Sequence, residues 1–306
     1  AVDNENSLSF ETGSGLHPLS GDAGMVFGAD NLLLSHHFSD KDWGTYWTKD
    51  PANSDSFDIQ WISEDVKYGR SHLCMTSDCL SDASQGIRQS TPVLPAGVYT
   101  FSAYLRVIDS FREGTNPGGF LRVSTASGTV LGESDHLIEA EDEYMRRSVT
   151  FTLESEQSVR VEILQNGCGS LYANAAQLEK NPYASEYNFI ENGNFENGVK
   201  KWNGSGSIST STHFNMSCSL KISGDLKNAK NIFQYCPVLD TVSSRETYTL
   251  SGWAKANSLP CHAREDQGKT TTFRLRAVYT YADDSTETYT ADFAPCTNGW
   301  QFASVR

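Results

Sequence analysis

Apolar residues in this chain stand in short runs, rarely longer than eight, between segments rich in Ser, Thr, Gly, Asn and Asp. Runs of this length, bounded by turn-forming residues, are typical of strands rather than helices. Turn sequences such as "PAG" at Pro95, "ASGT" at Ala126 and "ADDS" at Ala282 separate them. We therefore predict an all-β protein.

One strand pattern occurs twice, as "YTFSAYLR" at 99–106 and "YTLSGWAK" at 248–255. Successive side chains of a strand face opposite sides of a sheet, so each copy has one small or apolar face that predicts core packing. The residues of this face are Phe101, Ala103 and Leu105, and Leu250, Gly252 and Ala254. The other face carries Tyr104 and Arg106 in the first copy and Trp253 and Lys255 in the second.

Other segments repeat in the same order, including "GIRQSTPVL" at 86–94 and "NIFQYCPVL" at 231–239. An ordered set of matches predicts one strand framework copied twice. We expect a first β-sandwich at 31–180, a linker at 181–187 and a second β-sandwich at 188–306. The last residue, Arg306, aligns with Thr150, so the second copy is expected to be incomplete. Residues 1–30 match neither copy and are expected to be a lead-in or the tail of a preceding module.

Charge and composition exclude several classes of protein. The 306-residue chain has a formal net charge of -14 and a pI of about 4.9, which disfavours binding to a polyanion, so no nucleic-acid partner is expected. No apolar run is long enough to span a bilayer, and Ala1 onward shows no basic segment followed by an apolar core, so neither a membrane span nor a signal peptide is expected in this sequence. We expect a piece of a larger parent chain that carries other domains.

The seven cysteines show no C-x-x-C pair or zinc spacing, and their odd number leaves at least one thiol unpaired within the chain. If the parent protein is extracellular, the first pairings to examine are Cys74 with Cys79 and Cys261 with Cys296. Each of these pairs lies within one repeat.

Several segments together resemble carbohydrate-binding modules of the galactose-binding-like jelly-roll type. They are "NFIENGNFENGVKKW" at 188–202, "CSLKISGD" at 218–225, "YTLSGWAKA", "GWQFASV" and the closing "AAQLEK" of the first copy. The segment "YTYADDSTETYTADFAPCTNGWQ" also resembles modules embedded in Rhs/YD-repeat surface proteins of Gram-positive bacteria. The resemblance implies two tandem jelly-roll β-sandwiches that bind a polysaccharide or cell-surface glycan, in an extracellular or cell-surface protein. The alternative is a structural or adhesive spacer that binds no glycan.

Such modules often hold a structural calcium ion near the opening turn and the closing strand, where oxygen ligands are required. The resemblance implies Glu196 in the second copy and Asn174 in the first as candidate ligands. Each copy lacks the counterpart of the other's ligand. No other cofactor is expected.

Sugar rings pack their C–H faces on aromatic rings, so the ligand-binding candidates are Tyr104, Arg106, Trp253 and Lys255, together with Trp43 and Trp47 in an opening loop. The alternative for Tyr104 and Trp253 is that they only cover the sheet. Trp202, at a place similar to the cluster of Trp43, Tyr46 and Trp47, is expected to seal the end of the core. Gln89 and Gln234 are expected to form buried hydrogen bonds to a loop.

No catalytic constellation is evident, so we predict no enzyme. The acidic run from Glu133 to Tyr144 is interpreted as a solvated loop rather than a glycosidase carboxylate pair. His36 and His37 lack the spacing of a zinc protease, and no G-x-S-x-G motif is present. A binding module should expose Tyr104 or Trp253 in a groove, whereas a spacer should bury both.

Overall fold

The computed structural model describes the chain between residue 30 and the C-terminal residue, with gaps. The described residues are 30–39, 43–50, 57–78, 83–214, 216–223, 229–238, 248–256, 273–294 and 298–306. The chain divides into two compact units, with the division after Asp240. The predicted boundaries of the two repeats remain a prediction, and most of the predicted lead-in at 1–30 lies outside the described residues.

The all-β class is confirmed. Apart from one short 3-10 helix, Trp43–Thr45, the regular elements of the described residues are strands. Those of the first sandwich are β1 Thr48–Asp50, β2 Phe57–Ile62, β3 His72–Ser77, β4 Gln85–Ser90, β5 Gly97–Arg112, β6 Gly118–Thr125, β7 Val130–Glu133, β8 Met145–Leu153, β9 Val159–Asn166 and β10 Cys168–Glu179. Those that follow are β11 Asn203–Gly204, β12 Ser207–Ser209, β13 Ser219–Lys221, β14 Ile232–Phe233, β15 Leu250–Ala254, β16 Arg274–Thr280, β17 Thr286–Asp292 and β18 Gln301–Val305.

The first ten strands form two five-stranded antiparallel sheets, in the orders β1-β4-β9-β6-β7 and β2-β3-β10-β5-β8. Their inner faces build the core of a jelly-roll sandwich, as predicted. The predicted inward residues of β5, namely Phe101, Ala103 and Leu105, are completely buried in that core. From the other sheet, Leu121 and Val161 complete it with the same full burial.

A β-bulge divides the closing strand β10. Its register against β5 shifts between Asn174 and Gln177, and Ala175 in between has a φ of 51°. A bulge adds residues to one strand, so side chains beyond it can be re-aimed. Here Asn174 pairs with Tyr104 and Gln177 pairs with Ser102, so both polar side chains lie on the face opposite the core.

The connector at 181–187 is packed against β10. Glu179, completely buried, accepts hydrogen bonds from Ser185 N and Oγ, at 2.9 and 2.6 Å. Gln177 Oε1 accepts a hydrogen bond from Asn188 N, and its Nε2 donates to Glu186 O. These buried side chains satisfy the polar backbone of the connector and fix its path.

The opening segments of the two repeats fold alike, which confirms the repeat at this level. Gln89 exchanges two hydrogen bonds with the backbone of Leu34, and Gln234 exchanges two with the backbone of Glu191. The predicted buried hydrogen bonds are confirmed for Gln89, whereas Gln234 makes the equivalent bonds while only partly buried. The matching positions Phe38 and Phe195 both have positive φ, at 53° and 62°.

The later strands form four two-stranded antiparallel sheets, β11-β14, β12-β13, β15-β18 and β16-β17. In the second unit, Trp253 on β15 pairs with Phe302 on β18. A side chain added at Gly252 would meet Leu275 of β16 at 3.5 Å, so the small face of β15 points toward β16, as predicted.

The predicted pairing of Cys74 with Cys79 is wrong. Cys74 is a free thiol on β3 whose Sγ lies 3.8 Å from Thr76 Oγ1, whereas Cys168 forms a disulfide bond. The alternation of β3 turns the Cys74 side chain to the sheet face that lies away from the core. The predicted pair Cys261 and Cys296 lies outside the described residues.

Candidate functional site

The candidate site is the face of the β2-β3-β10-β5-β8 sheet that points away from the core, which we call the outer face. Period-2 alternation on antiparallel neighbours brings its side chains into rows across the strands. Tyr104 on β5 stands opposite Arg146 on β8 and Asn174 on β10, and Arg106 stands opposite Tyr172. The sheet thus gathers aromatic and cationic side chains that lie far apart in the sequence.

Tyr104 lies at the centre of an aromatic and cationic group. Its ring meets the ring of Tyr68 edge-on, with centroids 5.4 Å apart. Lys67 Nζ and the Arg146 guanidinium each lie 5.5 Å from the Tyr104 centroid, within the range of cation–π attraction. Tyr104 is partly buried and remains partly accessible to a ligand.

Arg106 forms the neighbouring part of the outer face. Its guanidinium lies 6.0 Å from the Tyr172 centroid, its Nε donates to Glu141 O at 3.0 Å, and its Nη1 lies 3.8 Å from Asp65. The Asp65 side chain is 73% exposed, so this ion pair is a weak one. The backbone contact orients Arg106 along the sheet.

Buried polar atoms without partners lie beside Tyr172. His72 is completely buried, with its ring 4.0 Å from the Tyr172 ring and 6.1 Å from the Tyr144 ring. Within the described residues, neither His72 ring nitrogen nor the Tyr144 hydroxyl has a hydrogen-bond partner. Burial lowers the pKa of His72 to about 4, so its ring is neutral at pH 7. Such atoms are costly unless a ligand or water pairs with them.

Asn174 anchors the loop that covers this face. Its Oδ1 accepts a hydrogen bond from Tyr68 N at 2.8 Å, and its Nδ2 donates to Ser71 O and His37 O. The completely buried Asn174 side chain thereby holds Lys67 and Tyr68 beside Tyr104. Calcium binding at Asn174 stays a prediction.

Glu196 has different partners. Its carboxylate accepts from Ser217 N and Oγ, at 2.8 and 2.5 Å. Among the described residues, no group of three or more His, Cys, Asp or Glu side chains could hold a metal ion. Calcium binding at Glu196 stays a prediction.

Trp47, predicted as part of a ligand platform, lies in the core. It is 1% exposed, its Nε1 donates to Leu34 O at 3.1 Å, and its ring packs on Phe38 at 5.4 Å. Trp202 makes the same two contacts in the second repeat, with Asn192 O and Phe195. Both tryptophans therefore close the end of their opening segment, as expected for Trp202. Trp43 is partly buried and packs against the edge of the core.

In the second unit, Trp253 and Lys255 are both partly buried. The Trp253 ring lies 5.3 Å from that of Phe302 on the neighbouring strand. This pair occupies the β15 face opposite Gly252. Its use as a ligand platform stays a prediction.

A buried charged cluster joins the first sandwich to the start of the second repeat. Glu191, 2% exposed, accepts from Ser35 N at 3.0 Å and lies 2.7 Å from His37 Nε2 and 3.6 Å from Lys201 Nζ. His37 Nδ1 accepts from Ser39 N, which leaves the proton on Nε2 to donate to Glu191. Burial alone would raise the pKa of Glu191, but the His37 hydrogen bond and nearby positive charges lower it to about 2.

We expect the unfolding free energy of the protein to fall as the pH drops from 7 to 5. Burial lowers the pKa of His36 to about 3 and that of His72 to about 4. Below their usual pKa of 6.5, both histidines are therefore protonated in the unfolded chain, whereas both rings stay neutral in the folded chain. The expected net loss is on the order of 2 kcal/mol by pH 5. The raised pKa of Asp30, about 6 from burial and the charge of Glu196, opposes this trend.

Denaturant unfolding at pH 7 and pH 5 measures this effect. His36→Gln should lose a large part of the pH dependence because it removes one of the two titrating rings. Equal unfolding free energies at both pH values would contradict the predicted burial of neutral imidazoles.

Sequence reasoning found Tyr104 and Arg106 but missed the rest of this site. Alternation along β3, β8 and β10 could have placed His72, Arg146 and Tyr172 on the outer face, once the strands had been paired. Lys67 and Tyr68 carry no such signal, since a hydrogen bond from a distant strand positions their loop.

A family model matches the second repeat of the chain. Residues 187–304 match the family model of the carbohydrate binding domain. The match confirms the carbohydrate-binding-module-like character predicted for the second repeat. It covers less than half of the chain.

Curated relatives include the tRNA(Glu)-specific nuclease WapA of Bacillus subtilis subsp. natto (strain BEST195) and the tRNA nuclease WapA of Bacillus subtilis (strain 168). Each is 29% identical over 178 residues, which is 55% of this chain and 7% of the relative. The matched part is therefore a small fraction of each relative's length.

Similar solved structures include the CBM22-1 xylan-binding domain of Paenibacillus barcinonensis Xyn10C, with a TM-score of 0.34, 15% identity and coverage of 49% of this chain and 94% of that one. The CBM22-1–CBM22-2 tandem domain of the same protein has a TM-score of 0.35 and 17% identity, covering 93% of this chain and 85% of that one.

Among the described residues, no helix is long and apolar enough to cross a membrane.

Proposed function

We propose that this chain is a non-catalytic carbohydrate-binding part of a larger secreted or cell-surface protein, and that the first sandwich binds a polysaccharide on its outer face. The observation that carries the proposal is the convergence of partly accessible Tyr104 and Tyr172 with Arg106 and Arg146. Aromatic rings offer stacking surfaces for sugar rings, and the polar atoms offer partners for hydroxyl groups.

The relatives supply the wider context of the proposal. The family match at 187–304 supports a binding role, and the WapA relatives are far longer proteins with tRNA nuclease names. We assign a binding role rather than a nuclease role to this chain because its net charge of -14 is unfavourable for holding RNA phosphates. A YD-repeat surface protein as the parent chain is part of this proposal.

Affinity electrophoresis against a panel of plant and cell-wall polysaccharides tests the proposal. Tyr104→Ala should weaken retention by the binding polysaccharide at least about tenfold, since even a partly covered ring is worth more than about 1 kcal/mol at roughly 25 cal/mol per Å². The melting temperature should change little, because the ring lies outside the core.

Tyr235→Ala is the matched control, since this tyrosine is 82% exposed and lies outside the sheet. It should bind like the wild type. Retention of the wild-type protein by none of the polysaccharides, or undiminished retention of Tyr104→Ala, would exclude the proposed role of the outer face.

A spacer function is the second candidate, and the packed connector favours it. Glu179 and Ser185 are both almost completely buried where the connector packs against β10. A spacer requires such a rigid connection. Tyr104 and Trp253 are both only partly buried, so neither of the two predicted extremes, an open groove or a fully covered ring, is met. The binding screen distinguishes the two functions.

A further inference from the structure

We propose that the ligand of the outer face is an anionic saccharide, whose carboxylate or phosphate groups accept hydrogen bonds from Lys67 and Arg146 while a sugar ring packs against Tyr104. This inference rests on the proposed function and names the class of its ligand. It follows from two cations beside Tyr104 without a carboxylate partner among the described residues, a local positive charge on a chain whose net charge of -14 otherwise disfavours polyanions.

The two cations beside Tyr104 have no carboxylate partner in the described part of the chain. Lys67 Nζ and the Arg146 guanidinium flank the Tyr104 ring, and neither forms an ion pair within the described residues. Arg146 Nη2 donates to Ser102 Oγ at 3.0 Å, but its buried Nε has no hydrogen-bond partner there. A guanidinium carries five donors, so Arg146 keeps most of its donor capacity for a ligand.

An arginine on the opposite sheet, Arg122, has the carboxylate partner that Arg146 lacks among the described residues. Arg122 on β6 also lies over an aromatic ring, that of Phe120 at 5.1 Å, but its Nε contacts Glu133 Oε2 at 2.8 Å. In a chain of net charge -14, carboxylates to pair with are plentiful. The pair Lys67 and Arg146 is left without one on the outer face, where a ligand could supply it.

Two neutral groups, His72 and Tyr144, lie beside Tyr172. The Tyr144 hydroxyl and the fully buried His72 ring present further atoms without partners in the described part of the chain. Burial raises the pKa of the Tyr144 hydroxyl, so this group is a donor at neutral pH. The nearest carboxylate to Arg106, that of Asp65, is 73% exposed and 3.8 Å away. Carboxylates act on Tyr172 and Cys74 of this face, among them Asp58, Glu64, Asp65 and Asp109. The place on the outer face that suits carboxylate or phosphate oxygens is therefore beside Lys67 and Arg146.

Three polymers test the class of ligand. Polygalacturonate and its fully methyl-esterified form share one backbone and differ in charge, and poly(glycerol phosphate) carries phosphate in place of carboxylate. We expect polygalacturonate to retain the protein if the ligand carries carboxylate groups, and poly(glycerol phosphate) to retain it if the ligand carries phosphate groups. Binding should weaken at least about tenfold between 50 and 500 mM NaCl, since exposed charges are screened.

The double variant Lys67→Gln/Arg146→Gln should weaken binding to the retained anionic polymer at least about tenfold, with an unchanged melting temperature. Arg122→Gln removes one positive charge from the other sheet and should bind like the wild type, whereas each single variant, Lys67→Gln or Arg146→Gln, should bind less well. If the double variant loses stability, the two single variants replace it, and their binding is measured as a function of NaCl concentration. Each single variant should show a smaller decrease in binding with salt than the wild type.

The failures of the two proposals are distinguishable. Retention by neutral polysaccharides with equal binding to the methyl-esterified and acidic polymers would overturn the anionic ligand and leave the proposed function standing. Retention by no polymer would overturn both. Undiminished binding of the double variant would also overturn the assignment to Lys67 and Arg146.

Discussion

Replacing Glu191 with alanine is expected to lower the free energy of unfolding by about 3–5 kcal/mol, the range for removal of one partner from a buried ion pair. Glu191 is 2% exposed and contacts Ser35 N, His37 Nε2 and Lys201 Nζ. The alanine variant would remove the acceptor of Ser35 N and His37 Nε2 and the carboxylate beside the Lys201 ammonium. Urea denaturation at pH 7 measures the loss.

Glu186→Ala is the matched control on the same segment. Its side chain is exposed, so the change should stay within about 0.5 kcal/mol. Glu191→Gln keeps the size of the side chain and one acceptor, and it should fall between the two. A loss below about 1 kcal/mol for Glu191→Ala would show that this cluster does not hold the two opening segments together.

Trp47→Ala is expected to destabilise the protein by about 3–5 kcal/mol, as large-to-alanine changes in cores do. Trp47 is 1% exposed, packs on Phe38 and donates to Leu34 O. Its removal leaves a cavity and takes away one of the two hydrogen bonds that Leu34 O accepts, the other coming from Gln89 Nε2. Thermal or chemical unfolding measures the loss.

Trp43→Ala, four residues earlier, should cost about 1 kcal/mol, because Trp43 is only partly buried at the edge of the core. The pair of variants separates core packing from ligand binding. A stable Trp47→Ala protein that no longer binds polysaccharide would instead support the platform predicted from the sequence.

The strand framework was largely predictable because it depends on local alternation. The small and apolar face of "YTFSAYLR" fixed the orientation of Phe101 and Leu105, and both are completely buried. The duplicated opening segment was also visible, since Gln89 and Gln234 occupy equivalent places and make equivalent hydrogen bonds.

What could not be predicted depends on contacts between distant segments. Nothing in the sequence near Asn174 indicates that its amide binds the Tyr68 backbone, 106 residues away in sequence. The burial of Glu191 depends on the way the second opening segment meets His37, which alternation does not encode. Trp47 was misjudged because an aromatic residue in a loop has no periodic pattern to indicate which side it packs on.

Chemical-shift mapping tests the central claim, that the outer face of the first sandwich binds a saccharide, most directly. Isotope-labelled protein would be titrated with an oligosaccharide prepared from a retained polysaccharide. The account predicts saturable shifts at the Tyr104 and Tyr172 amides and at the His72 ring, on β5, β10 and β3. Shifts confined to the β1-β4-β9-β6-β7 sheet, or no shifts at saturating oligosaccharide, would contradict it.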